Sequence, residues 1–164
     1  MPSEQERFLQ AWQQEHGTTA KVMGAIPEGK LDFKPHPKAW SARELAWHMV
    51  QAEKFFVEGA LAGHMEPGPA SAAPATLKEI VATFDRQHGE LVKKLTAADD
   101  RQLAKTMQFY VGPKQMGDVP IMQVLWMGVV MHGCHHRGQL STYLRMLDAK
   151  VPSIYGPSAD EPWW

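Results

Sequence analysis

One four-residue signature occurs three times in this chain and narrows its fold more than any other feature. A hydroxyl residue is followed three positions later by glutamate at Ser3/Glu6, Ser41/Glu44 and Thr76/Glu79. In such a capping box the hydroxyl accepts from the glutamate's backbone N–H. The carboxylate reaches back to the N–H of the hydroxyl residue, so a helix start is satisfied from both sides. Each box leads into apolar residues at helical spacing: Phe8, Leu9 and Trp12; then Leu45, Ala52 and Phe55; then Leu77, Ile80, Val81, Phe84, Leu91 and Leu95. Trp40, just before Ser41, is placed to act as a hydrophobic staple.

A fourth helix has no box. Asp118 is expected to cap it, Pro120 suits its first turn, and an apolar run follows from Ile121 to Met131. The predicted helices are Glu4–Met23, Ser41–Leu61, Thr76–Leu95 and Pro120–Leu147. Four amphipathic segments joined by loops read as an all-α four-helix bundle. The connections over Ile26–Ala39 and Gly63–Pro74 are rich in glycine and proline. The polar stretch Thr96–Gly117 is expected to hold a helical turn and an extended segment. The tail closes on Trp163-Trp164, which are expected to dock on the body or on a partner.

The totals narrow the function. A length of 164 residues suits one domain, 1–164, and 44% hydrophobic against 21% charged residues is a globular balance. A net charge of −1 argues against a nucleic-acid partner. One cysteine precludes an intramolecular disulfide and points to a reducing compartment. The N-terminus lacks a signal-peptide pattern, and the last apolar stretch is interrupted too early for a membrane span. A soluble cytoplasmic protein without a membrane partner is therefore expected.

Three of the eight histidines crowd into His132-Gly-Cys-His-His-Arg-Gly-Gln139. On a helix His132 and His136 lie about 40° apart on one face, one turn from each other, so both can reach one cation. His135 falls about 60° to the other side of His132 and is the rival ligand. A third ligand must come from another helix. His48 sits on the apolar stripe of the second helix and is the candidate. Gln51 shares its face, and Gln139 continues the His132/His136 face; either can orient water or bond to a ligand histidine. The other histidines read differently. His16 is expected to be solvated, His36 and His64 to lie on surface loops, and His88 to pack at a boundary. Cys134 reads as a packed core thiol. Arg137 and Arg145 read as surface or interface residues, and Glu44 as a cap.

These pieces together resemble the DinB-like family of metal-binding four-helix bundles. The resemblance rests on Trp40-Ser41 leading to Glu44-Leu45 and His48, on His132-x-x-His135-His136-Arg137-Gly138-Gln139-Leu140, on Tyr143-Leu144-Arg145, and on Val151-Pro152 with Tyr155-Gly156. It implies an up-down-down-up bundle, frequent homodimers, and His48, His132 and His136 as ligands of a divalent ion, zinc or nickel. Similar proteins include bacillithiol-type S-transferases and a mycothiol-dependent maleylpyruvate isomerase. The resemblance thus implies a small-molecule thiol and an electrophilic substrate, with metal-dependent hydrolysis or a non-catalytic metal-binding bundle as alternatives. Three protein ligands leave a position open for water or substrate, which is the catalytic pattern.

Overall fold

The computed structural model describes residues 1–65, 68, 71–111 and 114–163. All three capping boxes form with both of their hydrogen bonds, at the heads of α1 (Glu4–Gly24), α2 (Ala42–Ala62) and α3 (Leu77–Thr96). A short α4 (Asp100–Leu103) and an antiparallel hairpin, β1 (Thr106–Val111) and β2 (Lys114–Pro120), follow. The last helix is continuous but mixed: α5 (Ile121–Leu125), a π-helical stretch Trp126–Met131, then α6 (His132–Met146). Among the described residues no helix is long and apolar enough to cross a membrane.

Side-chain pairings fix the helix directions. Gln5 Nε2 donates to the Leu95 carbonyl and His16 meets Asp85, so α1 and α3 are antiparallel. Gln87 donates to the Val50 carbonyl and Lys94 pairs with Glu58, so α2 and α3 are parallel. Phe8 meets Trp126 and Glu15 meets Arg137, which makes α1 parallel to the last helix. His48 meets His132, and Phe56 packs on Gly128, which makes α2 antiparallel to it. The result is the expected up-down-down-up bundle. Its parallel α2–α3 pair needs a connection that runs back along the bundle. The residues between Ala62 and Leu77, about 14 at about 3.3 Å each, cover the roughly 30 Å length of α2.

The core is divided. One apolar cluster gathers Val22, Met23, Leu45, Met49, Ile80, Leu140 and Leu144. The other gathers Phe8, Trp12, Val57, Leu91, Leu95, Ile121 and Leu125. Each long helix carries polar residues where one cluster gives way to the other: half-buried His16 on α1, half-buried His48 and buried Glu53 on α2, buried His88 on α3, and half-buried His132 with buried His136 on the last helix.

Three expectations about the connections change. Asp118 does not cap the last helix. It lies in β2 opposite Gln108, and Pro120 takes the N-cap position without a side-chain bond. The hairpin does that work instead, since the Ile121 N–H donates to the Lys105 carbonyl at 3.0 Å. The stretch before the last helix holds the helical turn but two strands where one extended segment was expected. Finally, the tail is held by polar bonds: Asp160 Oδ2 accepts from Val151 N–H and Arg145, and Glu161 Oε2 from Ser153 N–H and Lys21. Trp163 projects outward at 63% exposure, and Trp164 lies outside the described residues.

A candidate metal centre

His132 opens α6 directly after the π-helical stretch, and His136 follows one turn later. The widened turn adds a residue to the helix without breaking it, a feature frequent at functional sites. From the antiparallel α2, His48 faces them. Its Nε2 lies 3.3 Å from His132 Nε2, and His136 Nε2 lies 2.9 Å from the same atom. The ligand atoms of all three lie within 4.8 Å of one another.

The tautomer of His136 follows from its other nitrogen. Nδ1 is 2.8 Å from Gln139 Oε1, an acceptor, so Nδ1–H donates and Nε2 keeps a lone pair aimed at the group. Burial first, then the charge of His136, pushes His48 down to about 4. Burial, then His136 and His48, pushes His132 down to about 4 as well. His136 is also lowered by burial, which outweighs the raising effect of its bond to Gln139. Three neutral imidazoles with converging lone pairs suit a first-row divalent cation.

The surroundings control access. Trp40 packs against His48 with ring centroids 4.5 Å apart and planes tilted by 42°, and also borders His136 at 5.8 Å. Phe56 closes on His132 at 5.7 Å. A cavity of about 710 Å³ opens onto His48 and His132, walled by Trp47, Gln51, Phe55, Ser71 and Gln87. Beyond Phe56 an apolar cavity of about 430 Å³, walled by Phe109, Val119, Val124 and Met127, also reaches His132.

The structure therefore brings together the three histidines expected to act together, and leaves His135 exposed beside them. Gln139 bonds to His136, whereas Gln51 donates to Ser71 Oγ at 2.9 Å and, among the described residues, makes no hydrogen bond to a ligand histidine. Glu44 caps α2 as expected and pairs with Lys34. His36 and His64 are exposed.

Three readings of single residues are corrected. His16 is not solvated: its ring stacks on that of His88 at 3.7 Å, and Nε2 meets Asp85. Arg137 is not a surface residue but 1% exposed, bound to Glu15 and Thr19 with its guanidinium over the Tyr155 ring. Cys134 is half-buried in that same polar group, 2.9 Å from Tyr155 Oη, and not among apolar side chains. Burial raises Glu15, but the bonds from Tyr155 and Arg137 outweigh it and hold the carboxyl below the usual carboxylate range.

Sequence reasoning missed Trp40 as a cover for the site and Glu53 altogether. The signal for Glu53 was present, since it stands three residues after Val50 and four before Val57 on the buried face of α2.

Comparison with known proteins agrees with this fold. A family model described as the DinB family matches residues 1–163. The protein YrdA of Bacillus subtilis (strain 168) is 26% identical over 157 residues, which cover 95% of this chain and 90% of that one. A crystal structure of a DinB-like protein from Bacillus cereus ATCC 10987 superposes with a TM-score of 0.76 at 25% identity, over 90% of this chain and 95% of that one. YfiT from Bacillus subtilis, described as a probable metal-dependent hydrolase with an unusual four-helix bundle topology, superposes with a TM-score of 0.70 at 15% identity, over 90% of each chain.

Proposed function

The chain belongs to the DinB family, and on that premise we propose that His48, His132 and His136 hold one divalent cation in a metal-dependent enzyme that transfers a small thiol to an electrophile. The observation that carries this reading is the convergence of three imidazole Nε2 atoms, with two of the rings, His48 and His132, at the wall of a large cavity. Zinc–imidazole bonds of about 2.0–2.1 Å at tetrahedral angles would set neighbouring nitrogens about 3.3 Å apart, and spacings of 3.3 and 2.9 Å would accommodate such an ion with modest adjustment. A divalent ion bound there supplies a Lewis acid that favours the deprotonated form of a thiol or water beside it.

The chain's own residues favour the thiol. The carboxylate on the wall of the larger cavity, Glu58, is engaged by Lys54 and Lys94, so it is not free to assist water attack. Gln51, Ser71 and Gln87 give the larger cavity polar handles for a polar thiol. The apolar cavity beyond Phe56 suits the body of an electrophile. Trp40 and Phe56 restrict bulk water at the histidines. A second reading, hydrolysis, is favoured by the fold shared with YfiT, which is described as a probable metal-dependent hydrolase.

The test is an activity screen of protein loaded with Zn²⁺ or Ni²⁺. Small thiols are offered with a chlorodinitrobenzene, and a nitrophenyl ester is offered without thiol. Conjugation at least about tenfold above the uncatalysed rate, abolished by chelator and by His48→Ala, is the expected result. Metal-dependent ester cleavage without thiol-dependent conjugation would instead establish the hydrolase reading. Inactivity in both assays with metal bound would leave a binding bundle.

A further inference from the structure

A second group of ligand atoms lies at the same break in the divided core. His16 on α1, Glu53 on α2 and His88 on α3 bring three ligand atoms within 4.8 Å of one another. Glu53 is 6% exposed and His88 8%. Glu53 Oε1 accepts from Trp12 Nε1 at 2.6 Å and lies 3.2 Å from His88 Nδ1. Glu53 Oε2 is fully buried and has no hydrogen-bond partner among the described residues, and the same is true of His16 Nδ1. His16 Nε2 lies 3.0 Å from Asp85 Oδ1, so Nε2–H donates to that carboxylate and Nδ1 is the bare nitrogen.

Both unpartnered atoms are therefore acceptors. A hydrogen-bond acceptor in the core must face something electropositive, because leaving it unpaired costs the full desolvation of the group. Among the described residues the only ion-pair partner of Glu53 is His88, with no lysine or arginine within reach. A cavity of about 30 Å³ lined by His16 and Glu53, and by Met49, Phe84 and His132, is large enough for one small occupant.

We propose that His16, Glu53 and His88 form a second divalent-cation site, separate from the three-histidine centre. Two imidazoles and one carboxylate suit a first-row cation such as Zn²⁺, Mn²⁺ or Fe²⁺. Asp85 is the outer partner that orients His16, as carboxylates do for ligand histidines. The 3.2 Å between His88 Nδ1 and Glu53 Oε1 is also the spacing of two atoms sharing one ion. Burial, then the neighbouring His88, lowers the pKa of His16, against the raising effect of Glu53 and Asp85. A cation here neutralises Glu53 and ties α1, α2 and α3 together where the apolar core is interrupted. The site does not rest on the proposed enzymatic activity.

The test counts metal. Full-length protein is loaded with Co²⁺, desalted and measured by mass spectrometry of the metal. The wild type is expected to hold two equivalents. Glu53→Gln, which still accepts from Trp12, should hold one, and so should His48→Ala. A wild type whose metal content is unchanged by Glu53→Gln overturns the proposal. A second measurement needs no variant: zinc-soaked wild-type crystals should give an anomalous peak between His16, Glu53 and His88. Density of a water molecule there, without an anomalous signal, also overturns it. Failure of the three-histidine centre is read separately, as a missing peak at His48, His132 and His136.

Discussion

Gly128→Ala is expected to damage both packing and site from a single methyl group. A Cβ at this position would stand 2.2 Å from Phe56 Cδ1 and 2.3 Å from its Cγ, well inside contact distance. Those atoms lie near the root of the ring, so Phe56 cannot yield by moving only its tip. Overpacking of this kind costs about 1–3 kcal/mol. Alanine returns about 1 kcal/mol through its better helix propensity, leaving a net loss of up to about 2 kcal/mol. For a chain of this size that lowers Tm by up to roughly 8 °C. Phe56 also packs on His132, so its displacement should weaken cation binding as well. Gly138→Ala in the same helix is the control: among the described residues nothing outside its own helix backbone and chain neighbours lies within 4 Å of its Cβ, and it should stabilise the protein by up to about 1 kcal/mol. Thermal melts and urea titrations of both variants, with Phe56→Ala alone and combined with Gly128→Ala, complete a cycle. The double variant should lose less than the sum of the singles by about 1 kcal/mol or more. A Gly128→Ala protein as stable as the control, or additive losses in the cycle, would refute the steric argument.

Two further outcomes are expected. In chelator-treated protein the depressed pKa values of His48 and His132, each about 4 against 6.5 unfolded, mean that the unfolded chain binds more protons between those limits. Stability should therefore be full above pH 6.5 and fall as pH drops towards 4, and a His48→Ala/His132→Ala double variant should show a shallower slope in urea unfolding. Glu15→Ala should cost about 3–5 kcal/mol, because it strands the buried Arg137 cation; adding Arg137→Met should recover part of that loss. A single variant within about 1 kcal/mol of wild type in chemical denaturation would contradict the assigned pairing.

The bundle was legible because its signals are local. Capping boxes act within four residues, and the apolar stripes repeat every turn, so α1, α2 and α3 begin at the residues the boxes indicate. The His132/His136 pair was legible for the same reason, since one helix carries both. Asp118 misled because the cap of the last helix was replaced by a hairpin whose register depends on pairing with Thr106–Val111. His16 and Arg137 misled because each is polar on its own helix yet meets its partners across the bundle: His16 meets Asp85 and His88, and Arg137 meets Glu15, 122 positions earlier. Spacing along one helix does not encode such contacts. Trp40 was read as a staple, and its ring lies over His48 on a helix it immediately precedes.

The central claim is that His48, His132 and His136 share one ion and that His135 does not. It is tested most directly by the metal content of folded alanine variants at these four positions. The account predicts that His48→Ala, His132→Ala and His136→Ala each lose one equivalent relative to wild type, while His135→Ala keeps the wild-type content. An unchanged content in His48→Ala, or a loss confined to His135→Ala, would contradict it.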